Sequence, residues 1–149
     1  MSATPADAQV VLHLFELRRE TEMRKARDWY GREFNPTSAD EIIKTIMDFG
    51  GDGNRYFRMV TSYWEMAAAL ALSGSVNEQL FLDTQNEMFF MMAKLHPHLA
   101  ELRQKMQMPE MMGRCETLIN KSEASKKKLQ AFVERVEKFR AMAAAAKAK

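Results

Sequence analysis

Cysteine occurs once in the sequence, as Cys115, so the chain has no internal disulfide. A lone thiol fits a reducing compartment and leaves stability to a packed core. Glycine and proline are scarce as well, with 6 and 4 residues among 149, too few for the closely spaced turns of a β fold. The three histidines form no His-x-x-x-His or Glu-x-x-His pattern and there is no Cys-x-x-Cys, the spacings on which di-iron and zinc sites are built. Apolar runs are short: the longest, Met66 to Leu72, falls far below the roughly 20 residues of a membrane span. The opening "MSATPADAQ" has neither the basic nor the apolar region of a secretory signal, so a soluble, cytoplasmic protein is expected.

What is present suits a globular helical chain. The composition is 46% hydrophobic and 28% charged, and 149 residues suffice for one domain with a core. The net charge of +2 is too small to argue for specific nucleic-acid binding. Residues 1–75 hold 9 basic and 11 acidic side chains and residues 76–149 hold 13 and 9, with 9 basic against 3 acidic from Lys121 onward. The run Lys126, Lys127, Lys128 reads as a solvated helix face.

Helical periodicity predicts an all-α, single-domain bundle of five or six helices spanning residues 1–149, with a long first and a long last helix. The first should run from Ala6 to Tyr30. A second should follow Ser38, whose spacing to Glu41 is that of a capping box, with Ile42, Ile43, Ile46, Met47 and Phe49 as its apolar stripe. A third over Asn54–Leu72 and a fourth over Asn77–Lys94 should be antiparallel neighbours across a short turn at Gly74. A short fifth helix follows Pro97, and Pro109 opens a last helix to about Met142. Residues 1–5 and 143–149 should fray.

The last helix carries Leu129, Phe132, Val136 and Phe139 at alternating steps of three and four, a coiled-coil spacing that makes these residues candidates for an interface with a protein partner or a second copy. Glu65 is the most ambiguous carboxylate, since it stands in "YWEMAAALALSGSV" beside Trp64 at the head of an apolar run. Its helical stripe is weakly polar, and no His or second carboxylate accompanies it there. A boundary carboxylate paired with an arginine of another helix is the reading adopted. His96 and His98 lack the other members of a metal set, and the cluster Met106, Met108, Met111, Met112 reads as core filling rather than a soft-metal site. "DFGGDGNRYFRM" fails as a calcium loop because Met59 stands where the closing carboxylate belongs. Cys115 lies on the apolar register of the last helix and reads as a structural thiol. No catalytic, cofactor-binding or metal residue is assigned, and no cofactor is expected.

Three blocks, "LFELRRETEMRKARDW" (Leu14 to Trp29), "YWEMAAALALSGSV" (Tyr63 to Val76) and "LHPHLAELR" (Leu95 to Arg103), together resemble a family of small bacterial helical proteins known only as a domain of unknown function. The resemblance covers roughly residues 8–105. Its members often follow a membrane-spanning N-terminal helix, which this sequence lacks. The resemblance implies that Arg18, Arg19, Arg24, Glu65 and Arg103 form a charge network between helices, of the kind that fixes register more than it adds stability. The function expected is a non-enzymatic protein-interaction or scaffold module. The alternative is an enzyme or small-ligand binder with a pocket around Tyr63, Trp64, Glu65 and the Met-rich fourth helix.

Overall fold

The computed structural model describes all 149 residues and contains no strand. Nine α-helices follow one another, where five or six were expected: α1 (Pro5–Arg18), α2 (Thr21–Arg32), α3 (Ala39–Met47), α4 (Asp52–Leu72), α5 (Glu78–Thr84), α6 (Asn86–Leu95), α7 (Leu99–Met106), α8 (Gly113–Asn120) and α9 (Glu123–Lys147). A single 3-10 turn at His96–His98 joins α6 to α7.

The excess arises because three expected helices are each divided by a polar break. The long first helix stops at Arg18 because Glu20 adopts an extended backbone and its carboxylate accepts from Met23 N at 2.9 Å, starting α2 afresh. The fourth divides at Gln85, buried between α5 and α6, and the last divides at Ser122, whose hydroxyl caps α9 by accepting from Ser125 N. Pro109 opens no helix, since α8 begins only at Gly113 after a turn in which Met112 takes a left-handed backbone. α9 continues through Lys147, and α1 starts at Pro5 under a Thr4–Asp7 capping box. The box expected at Ser38 forms in half: Ser38 Oγ accepts from Glu41 N, while the Glu41 carboxylate accepts from Thr37 N instead. At the end of α4, Gly74 has φ 78, and Ser75 N reaches back to Leu70 O in the paired-bond geometry of a helix stop.

α4 is the central element. It packs chiefly on α2 and α8, with α3 beside it, rather than on the helix that follows it in sequence. Its inward face runs through Phe57, Val60, Trp64, Ala67, Ala68 and Ala71, and the three alanines let neighbouring backbones approach closely. Tyr30 and Phe34 enter from α2 and the link behind it, Phe81, Met88, Met91 and Met92 from α5 and α6, and Cys115, Leu118 and Ile119 from α8. These belong to one cluster of 31 buried apolar residues. α9 lies along α6 and continues well beyond it, since 25 residues against 10 correspond to roughly 37 Å against 15 Å at 1.5 Å per residue.

Candidate functional site

Glu65 sits on α4 at the edge of the core and points at the start of α8. Its carboxylate accepts from Cys115 N at 2.8 Å and from Arg114 N at 3.3 Å, while the exposed Arg114 guanidinium stands 3.8 Å away. The geometry follows from how α8 begins. Met112 has no side chain able to cap, Gly113 N bonds to Glu110 O, and Glu116 N already reaches Met112 O. The two amides left without an intrahelical partner are those that Glu65 binds. A carboxylate there also complements the positive end of the helix dipole. Burial, with the Glu65 charge next to it, pushes the Cys115 thiol well above its ordinary range, which makes it a poor nucleophile.

The five residues of the expected network fall into separate places. Arg18 donates to Glu87 at 3.1 Å and lies 5.4 Å over the Trp64 ring. Arg27 makes a two-bond fork on the same carboxylate at 2.7 and 2.8 Å and donates to the free carbonyl of Arg18 at 3.0 Å. This links α1, α2 and α6 at one acid. Arg103 forms a second cluster, donating to Glu116 and twice to Met111 O, which fixes the turn before α8. Arg19 is exposed over Phe15, and Arg24 is exposed with no ion pair. Arg27, Glu87 and Glu116 were not singled out from the sequence. Arg27 lies inside a quoted block, but nothing in its spacing marks an acid 60 residues away.

Lys94 is the other residue that sequence reasoning passed over. It is almost fully buried, and its Nζ lies within 2.6 to 3.2 Å of Tyr30 O, Phe34 O, Gly31 O and Asn35 Oδ1, clasping the end of α2. Burial, and then the positive charge of Arg140, bring its ammonium down to about 8. The clasp satisfies carbonyls that the end of a helix leaves free.

Of the α9 seam, Leu129 and Val136 are buried inside the fold and Phe132 stacks on Phe89 of α6 at 6.1 Å, so these three face the same chain. Phe139 is 62% exposed. Tyr63, Trp64 and Glu65 do not share a pocket either: Trp64 is sealed in the core, and the Met-rich fourth helix turns Met88, Met91 and Met92 inward with it. The groove that contains Glu65, about 700 Å³, is walled by Arg58 of α4 and the Met108–Arg114 segment. Tyr63 instead lines a groove of about 560 Å³ with Leu17, Met23, Met59 and Met66. No three His, Cys, Asp or Glu side chains converge as a ligand set, and no helix is long and apolar enough to cross a membrane.

No curated protein and no solved structure matches the chain. A family model does, over residues 3–122, extending the likeness read from the sequence past Arg103 and through α8 to the residue that caps α9. With most of its length matched, the protein belongs to the family described as Domain of unknown function (DUF4760).

Proposed function

We propose that the protein is a non-enzymatic helical interaction module that receives an amphipathic helix of a protein partner in the groove between α1–α2 and α4. The observation that carries this reading is the apolar part of that groove's lining, Leu17, Met23, Met59 and Met66 with the ring of Tyr63, which Glu20 and Ser62 complete; Leu17 is 42% and Met66 45% exposed. Unbranched thioether side chains adapt to different apolar shapes, which suits a surface that accepts the anchors of a helix at i, i+3 or i+4, and i+7. The polar interior points the same way. Glu65, Glu87 and Lys94 are each engaged in holding backbone or arginine in place.

Methyl-labelled methionine gives a direct test, since Met23, Met59 and Met66 report on the groove. A panel of amphipathic helical peptides with Leu and Phe anchors is titrated and followed by NMR. The expected outcome is that at least one peptide moves the Met59 and Met66 methyl signals saturably and that Met66→Glu abolishes the effect with the fold intact. A panel that leaves those methyls unmoved, or moves the methyls of other methionines alone, would refute the proposal.

A further inference from the structure

A second groove, sharing no residue with the first, lies where the overhanging part of α9 passes α6 and the end of α2; its volume is about 430 Å³. Its apolar wall is Phe90 of α6 with Val136 and Phe139 of α9, and Ala143 and Ala144 keep the far side low. Besides the amide of Asn35, its polar lining is charged and of one sign. Arg32, Lys94, Arg140 and Lys147 border it, and no Asp or Glu does. The ammonium of Lys94 is committed to the end of α2, but Arg32, Arg140 and Lys147 have no ion-pair partner in the fold. Arg140 is half-buried, and its Nε is shielded from solvent with no hydrogen-bond partner. The nearby acid that feels the Arg140 charge, Glu41, directs its carboxylate at Thr37 N.

A buried guanidinium nitrogen without an acceptor is costly, and clustered cations beside an apolar wall repel one another unless an anion joins them. We infer that this groove binds an amphipathic organic anion, its carboxylate or phosphate head against Arg140 and Arg32 and its apolar body along Phe90, Val136 and Phe139. The planar donor fork of arginine matches either head group, and Lys147 adds charge at the mouth. The groove, about 430 Å³, has room for a medium-chain acid.

Calorimetric titration of the full chain with sodium dodecanoate, below its micelle-forming concentration, tests this. Dodecyltrimethylammonium, with the same chain and the opposite charge, is the control, and vesicles of anionic lipid are a separate arm. The expected result is one dodecanoate per chain, at least tenfold weaker binding of the cation, and at least tenfold loss of dodecanoate affinity in Arg140→Gln. Arg32→Gln and Phe139→Ser alter exposed residues, so each should weaken binding while circular dichroism and melting stay as in the parent, even where Arg140→Gln disturbs the fold. Equal binding of anion and cation, dodecanoate binding indifferent to Arg32→Gln and Phe139→Ser, or binding to vesicles with none to the monomeric anion would each overturn the inference.

Discussion

Replacing Glu65 by alanine should destabilise the protein by about 1–4 kcal/mol, and replacing it by glutamine by well under half of that. The alanine variant removes the acceptor for Cys115 N and Arg114 N, and the first of these is fully buried with no alternative partner. A buried donor left unmatched costs about 1–3 kcal/mol, and the lost charge at the helix start adds about 0.3–1 kcal/mol. Glutamine keeps an acceptor oxygen of nearly the same reach and gives up only the charge. The Arg114 guanidinium, exposed and 3.8 Å away, contributes little, so Arg114→Ala should stay within about 0.5 kcal/mol of the parent. Urea unfolding gives the differences as shifts of midpoint at constant slope. Amide exchange at Cys115 supplies the local readout, with protection lost in Glu65→Ala and largely kept in Glu65→Gln. The reasoning fails if the two variants are equally destabilised, or if the Cys115 amide is as protected in the alanine variant as in the parent.

Three further outcomes follow from the same geometry. Truncation before Lys126 should leave an unfolded or aggregated chain, because Leu129, Val133 and Val136 are core residues, and Leu129→Ala alone should cost about 2–5 kcal/mol; light scattering and circular dichroism of the shortened chain check this. Between pH 8 and the ordinary lysine value of 10.5, the unfolded chain retains the Lys94 proton that the folded chain has released. The stability difference between the parent and Lys94→Met should therefore rise with pH across that window, by at most about 1.4 kcal/mol per pH unit, and a flat or falling difference in urea titrations would contradict it. The Cys115 thiol, buried and with its ionisation pushed up, should resist iodoacetamide in the folded protein and react once urea unfolds it, as mass spectrometry would record.

The helical class was legible because it rests on local periodicity, which also puts Phe57, Val60 and Trp64 of α4 and Met88, Met91 and Met92 of α6 inward. Of the expected α3 stripe, by contrast, only Ile42 is buried, Ile43 and Ile46 are partly buried, and Met47 and Phe49 are exposed where the helix ends. The breaks at Glu20, Gln85 and Ser122 were hidden because each segment has good helix formers on both sides, and a polar residue within a helical pattern is as often solvated as it is a cap. At Glu65 the sequence placed the residue on the right side of its helix and named an arginine of another helix, found as Arg114 at 3.8 Å, but gave no sign of the shorter bonds from the backbone amides of Arg114 and Cys115, 49 and 50 residues away. The α9 seam has the spacing of an interface, yet a helix that packs on its own chain uses the same spacing. Only the position of α6 decides between them.

Several helices here are completed by a side chain from elsewhere in the chain: Glu65 of α4 serves the start of α8, and Lys94 of α6 the end of α2. Arg27 of α2 bonds the last carbonyl of α1, Asn54 of α4 a carbonyl of α3, and Lys128 of α9 a carbonyl of α5. The helices served are 7 to 14 residues long, lengths at which an isolated helix is marginal in water. None of them is therefore a self-sufficient unit. A peptide cut to the bounds of α8 would be mostly coil, and loosening α4 would withdraw support from α3 and α8 together. The molecule is wired to melt as a whole, with sharp denaturation and little independent fraying of α2, α3 or α8, while the unsupported end of α9 exchanges its amides first.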